Sequence, residues 1–165
     1  MSVVFKKEVL DEFEIIANRY PTRRAALLPA LWLAQREFGY LSLEVLDYIA
    51  QIVKISPVQV YEVAEFYTLF HKKPVGKYHL QVCRTISCAL NGALDIQRAI
   101  EAHLHTKPGE ITHDKLFSYE LVECLASCHT APCMRINEDY YENLSPEKVN
   151  EILNQLVKEN NQNAI

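Results

Sequence analysis

Glycine is scarce in this chain: four residues in 165, none of them in a G-x-G pattern. A phosphate-cradling loop for a dinucleotide needs such a run, so the chain carries no NADH or flavin site of its own. A cationic excess is missing too. Lys plus Arg number 17 against 21 Asp plus Glu, for a formal net charge of −4 and a pI near 5.9. That balance lacks the footprint that grips nucleic acid phosphates. No apolar run approaches the ~20 residues of a membrane span. The opening stretch interleaves Lys6, Lys7, Glu8 and Asp11 with apolar residues and has no signal-peptide core, so export is not expected. Neither a Ser/His/Asp set nor paired carboxylates stand out, so no catalytic residue is assigned. Internal repeats and low-complexity segments are absent, and the first 82 residues contain no cysteine.

What is present is enough apolar sequence for a real core: 49% hydrophobic residues beside 23% charged. Residues 1–75 read as helices. Leu10, Phe13, Ala17 and Tyr20 share one face, and Pro21 ends that segment. From Arg23 to Phe38 a wide apolar arc runs through Ala26, Leu27, Ala30, Leu31 and Ala34 to Gly39, placed as a C-terminal cap. Leu43, Leu46, Ala50 and Val53 make a third stripe. Ser56-Pro57-Val58-Gln59 predicts a capped start for a fourth helix reaching Phe66. A helix-turn-helix over 43–67 fits the spacing, but Lys54 is its only basic residue, so plain packing helices are the better reading.

The polar run His71 to Lys77, with Pro74 and Gly76, reads as a linker. After it the period drops to two. Tyr78, Leu80 and Val82 alternate with His79, Gln81 and Cys83 as a strand. Asn91 is placed to cap a helix carrying Ala93, Ile96, Ile100 and Leu104. Phe117 to Glu123 forms a second strand, Met134–Asn137 and Tyr140–Asn143 a hairpin around Glu138-Asp139, and Ser145-Pro146-Glu147 opens a final amphipathic helix. The tail from Glu159 is expected to fray. The predicted class is α+β: a helical bundle over 1–75, then a thioredoxin-like domain over 76–165 with the order β-α-β-β-β-α.

Five cysteines, Cys83, Cys88, Cys124, Cys128 and Cys133, fall in one 51-residue window. An odd number suits a disulfide framework poorly, and a chain of this size does not need one. No Cys-x-x-Cys redox pair exists. Cys83 and Cys88 enclose four residues, Cys124 and Cys128 enclose three, and each pair follows a predicted strand. Neighbouring strands would bring both loops to one sheet edge, where four thiolates suit a 2Fe–2S cluster or a structural zinc. Zinc ribbons favour two-residue gaps, so the wider gaps favour the cluster. A single cysteine is usually a small buried hydrophobe, but two matched pairs are poorly explained that way.

V-C-R-T-I-S-C (82–88) and V-E-C-L-A-S-C-H-T-A-P (122–132) resemble the small thioredoxin-like 2Fe–2S subunit of the NADH-dehydrogenase module of respiratory complex I. The resemblance extends through Arg36-Glu37-Phe38-Gly39-Tyr40-Leu41, Glu62 to Phe70, and Pro74 to Tyr78. It implies one 2Fe–2S cluster ligated by Cys83, Cys88, Cys124 and Cys128. It also implies an electron-transfer subunit of NADH:quinone oxidoreductase that docks on the flavin- and NADH-binding subunit, passes electrons to and from that flavin and sits among other peripheral-arm subunits. The expected location is cytoplasmic and peripheral to the inner membrane, bacterial rather than mitochondrial, without insertion of the chain. The same motif serves NAD-linked hydrogenases and formate dehydrogenases; a zinc-stabilised interaction module is the rival from another class. Two departures stand out. Ala126-Ser127 replace the family's usual Gly-Ala in the second loop, and Cys133 occupies a position usually apolar. His129, beside Cys128, is read as a loop residue near the cluster. Rieske ligation would need a His in the first loop as well, and 83–88 has none.

Overall fold

The computed structural model of the chain describes residues 3–162. The chain divides into two compact units between Pro74 and Val75. The first is helical: α1 (Lys7–Ala17), a 3-10 turn (Arg23–Ala26), α2 (Leu27–Phe38), α3 (Leu43–Val53) and α4 (Pro57–Phe66). The predicted arc of α2 is its buried face, with Ala30, Leu31 and Ala34 fully enclosed. Gly39 ends α2 at φ 82°, a left-handed geometry that favours glycine. Three expectations need adjustment. Tyr20 lies beyond α1 and is exposed, because that helix stops at Ala17. Arg23 starts a separate 3-10 turn rather than α2. Ser56 holds the N-cap position of α4 with no side-chain cap bond, its carbonyl accepting from Gln59 N–H instead.

Two polar residues fasten this unit. Arg23 makes a two-pronged pair with Glu14 (2.8 and 2.8 Å) and donates to the Ile52 carbonyl, with its guanidinium over the Phe13 ring. It therefore joins α1 to α3. Buried Gln35 donates to the Leu69 carbonyl (3.0 Å) and accepts from His71 N–H, holding the chain beyond α4 against α2.

The second unit contains a four-stranded mixed sheet in the order β2-β1-β3-β4. Its elements are β1 (Tyr78–Cys83), α5 (Ile86–Leu90), α6 (Ala93–Leu104), β2 (Phe117–Val122), a 3-10 turn (Cys128–Thr130), β3 (Met134–Ile136), β4 (Asp139–Tyr141) and α7 (Pro146–Gln162). This is the predicted order with one extra helix, α5. The period-2 reading is obeyed: Leu80, Val82, Phe117, Tyr119, Met134 and Ile136 cluster with Ile96, Ile100, Val149 and Leu153 of α6 and α7. The alternate positions are buried as well, and their polar groups are paired. His79 Nδ1 lies 2.8 Å from Ser118 Oγ, and Gln81 Nε2 donates to Glu120 (2.9 Å).

Boundaries shift where turn chemistry decides. Asn91 ends α5, and Gly92, at φ 95°, takes the N-cap of α6. The hairpin turns at Asn137-Glu138, one residue earlier than predicted, with Asn137 left-handed at φ 52°. Instead of fraying from Glu159, α7 continues to Gln162; residues 163–165 lie outside the described region.

Parallel pairing of β1 with β2 requires the chain entering β1 to pass close to β2. At Gly76 it does: a Cβ there would lie 2.5 Å from the Phe117 carbonyl carbon and 2.8 Å from Ser118 N. These are backbone atoms that cannot swing aside. Gly76 N–H also donates to Ser118 Oγ (2.8 Å). Gly76→Ala should therefore destabilise the second unit by about 1–3 kcal/mol, the usual scale of overpacking, read as a lower urea midpoint in cluster-free protein.

Candidate metal centre

β1 and β2 run parallel in register, with Cys83 opposite Val122. Both chains leave the sheet in the same direction, and the exposed Arg84–Glu123 pair (2.7 Å) ties the two exits together. The first loop turns at once into α5, which carries Cys88. The second loop carries Cys124, turns at Ala126, and delivers Cys128 at the start of its 3-10 turn.

The four predicted ligands form two close pairs. Cys83 and Cys88 sulfurs lie within 4.8 Å of each other, both buried. Cys124 and Cys128 sulfurs are 3.4 Å apart and exposed. Two thiolates on one tetrahedral metal, at a bond of about 2.3 Å, sit ~3.8 Å apart, so each pair is close enough to share a metal. The pairs also face each other: the Leu125 backbone lies within hydrogen-bonding reach of Cys83, and Thr85 bears on both Cys83 and Cys124. Two thiol pairs from two loops fit a two-metal cluster.

Groups in the loops already favour thiolates at two positions. Burial works to raise the Cys83 thiol, yet hydrogen bonds from the Thr85 hydroxyl (3.2 Å) and from loop N–H groups bring it below its ordinary value. Cys124 is lowered by the Ala126 N–H, 3.3 Å from its sulfur, and then by Cys128. Cys88 is raised by burial, and Cys128 by its hydrogen bond to Cys124. A metal's positive charge overrides both rises, since a coordinating thiol is deprotonated outright.

Cys133 packs as a small buried group just before β3, and its sulfur lies 3.8 Å from Cys88 Sγ. Burial pushes its thiol up to about 12. Sequence reading missed the residues that brace the second loop. Buried Ser127 hydrogen-bonds to both Thr130 (2.8 Å) and Glu142, and Thr130 also donates to Glu142 (2.8 Å). Those bonds hold the Glu142 carboxyl below its usual range. Glu142 is remote from the cysteine motif in sequence, and only the hairpin carries it there. His129 is exposed.

The chain as a whole is similar to known proteins. Residues 13–157 match the family described as Thioredoxin-like [2Fe-2S] ferredoxin. The chain is 44% identical over 143 residues to an NADH-quinone oxidoreductase subunit of Rhizobium meliloti (strain 1021), covering 87% of this chain and 85% of that protein. It is 44% identical over 155 residues to the corresponding NADH-quinone oxidoreductase subunit of Rickettsia bellii (strain RML369-C), covering 92% and 93%. Among solved structures, an NAD+-reducing [NiFe]-hydrogenase in the air-oxidized state superposes with a TM-score of 0.69 at 20% identity. The match covers 81% of this chain and 23% of that one, a likeness of fold alone.

The second loop contains one strained residue. Ala126 sits at φ 63°, where a Cβ costs about 1 kcal/mol. Ala126→Gly removes that strain and adds some freedom to the unfolded chain. A net gain of about 0.5 kcal/mol is expected in urea unfolding of cluster-free protein.

Proposed function

This chain belongs to the thioredoxin-like 2Fe–2S ferredoxin family, and we propose that it is the electron-transfer subunit of a bacterial NADH-quinone oxidoreductase. The observation that carries this reading is the pair of thiol pairs converging from two parallel strands, in a chain whose relatives are subunits of that oxidoreductase over nearly their full length. We assign Cys83, Cys88, Cys124 and Cys128 as the ligands of one 2Fe–2S cluster. When bound, the cluster supplies a one-electron carrier whose potential the protein sets through charge, hydrogen bonds to sulfur and solvent exposure.

The chain's own residues do the holding and tuning. Cys83 and Cys88 anchor one side in a dry nest with Ala93, Leu125 and Ala131. Cys124 and Cys128 present the other side to solvent, where a partner can approach. The Ala126 N–H and the Thr85 hydroxyl point at sulfur and stabilise negative charge there. Substrate chemistry belongs to the partner, which we take to be the flavin- and NADH-binding subunit of the same complex. No helix among the described residues is long and apolar enough to cross a membrane. We place the chain on the cytoplasmic side of the inner membrane, held there through its partners.

Native protein should contain about two irons and two labile sulfides per chain, the composition of one such cluster. Cys124→Ala should lose the cluster or rebuild it, while Cys133→Ala keeps it and its EPR signal after reduction. Loss of the cluster in folded Cys133→Ala would falsify the ligand assignment, and stoichiometric zinc in intact native protein would argue for a different metal site.

The helical unit, residues 1–75 in this reading, is the proposed docking platform. Its α4 leaves Val58, Tyr61 and Phe66 exposed, Phe66 by 78%. A partner's surface could cover these side chains. Phe66→Asp should reduce co-purification with the flavin-binding subunit while leaving iron content unchanged; undiminished co-purification places the contact elsewhere.

A further inference from the structure

Cys133 is absent from the proposed cluster ligands, yet it sits closer to them than a bystander needs to. Among the described residues, Cys83, Cys88 and Cys133 are the one group of three potential metal ligands whose donor atoms all lie within 4.8 Å of one another. All three are buried at 1% exposure, and Cys88 and Cys133 sulfurs are 3.8 Å apart. Three sulfurs around one ion at bonds of about 2.3 Å are separated by ~3.8–4.0 Å. The trio therefore nearly matches the spacing a single ion requires, and the exposed Cys124–Cys128 pair lies outside it.

We propose that the cluster-free chain holds a single divalent thiophilic ion, zinc in the first instance, on Cys83, Cys88 and Cys133. The same pocket then accepts either that ion or the cluster, never both. Soft thiolates select zinc or monovalent copper over harder ions. Burial decides between those two. Three thiolates carry −3, so a divalent ion leaves −1 in a dry pocket and a monovalent ion leaves −2, and the smaller buried charge is the cheaper. Binding forms three metal–sulfur bonds, releases three thiol protons to solvent and changes no oxidation state.

The competition follows from shared residues. If Cys83 and Cys88 are cluster ligands, as proposed above, an ion held by them blocks cluster insertion until it is removed. That consequence rests on the cluster reading; the ion site itself does not. Cys133 is the residue that separates the two occupants, because it serves the ion and not the cluster.

The test uses the full-length chain prepared without cluster and titrated with zinc under anaerobic conditions against a chromophoric chelator. The wild-type chain should bind one zinc. Cys133→Ala should weaken that binding by more than about 100-fold, beyond what losing an outer-shell partner costs. Cys124→Ala and Cys128→Ala should leave it unchanged. Cys133→Val, which refills the buried space, guards against a packing artefact, and circular dichroism confirms that each variant is folded. In a second arm, zinc-loaded wild type should fail to take up iron and sulfide until a chelator is added, while Cys133→Val takes them up with or without zinc. Retained zinc affinity in both Cys133 variants, or equal loss in the Cys124 and Cys128 variants, overturns the three-cysteine site. Folded Cys133→Val that binds neither zinc nor cluster overturns the four-ligand assignment and leaves the ion site standing.

Discussion

Parallel hydrogen bonding between β1 and β2 is the constraint on which the metal centre depends. Antiparallel neighbours would send the two cysteine loops to opposite ends of the sheet. Parallel neighbours in register send them to one end, so two motifs separated by 35 residues meet. The parallel pair needs a crossover, supplied by α5 and α6, and it needs the chain entering β1 to pass tightly against β2, which Gly76 permits. Strand direction, crossover and close approach thus serve one outcome: both cysteine loops leave the same end of the sheet.

The two sides of the centre are built to different physical standards. The first pair is dry, packed with small apolar groups and fixed by β1 and α5. The second pair is exposed on a loop whose shape depends on polar braces, chiefly Ser127 and Thr130 on Glu142. A carrier needs both conditions. A dry side excludes water and holds geometry, and an open side lets an electron donor or acceptor come close.

Cys133 shows how the fold can bring a side chain from outside the two paired motifs next to one of them. In sequence it looks like a hydrophobic substitution at the start of a strand. In the fold, β1 and β3 are antiparallel neighbours, and Cys83 N–H bonds to the Cys133 carbonyl (3.3 Å). That hydrogen bond, just beyond the β1–β3 ladder, brings the two residues together, and the Cys133 sulfur lies 3.8 Å from Cys88 Sγ. The Cys133 thiol beside Cys83 and Cys88 makes a buried trio of sulfurs distinct from the exposed Cys124–Cys128 pair.

Much of the molecule was legible in the sequence because it depends on local periodicity. The α2 arc, the β1 alternation, the cap at Gly39 and the Ser145-Pro146 start of α7 follow from spacing and turn chemistry. The paired cysteine spacing pointed to a metal, and the resemblance of its flanking residues to a known family pointed to an iron–sulfur carrier. Helix α5 was missed because five residues are too few to show a helical period. The hairpin slipped by one residue because Asn137 takes the left-handed corner, which cross-strand pairing selects. The braces at Thr85, Ser127 and Glu142, and the contact of Cys133 with Cys88, lay beyond sequence reading for one reason. Each joins residues whose proximity is set by strand order and direction, and those are properties of the sheet as a whole.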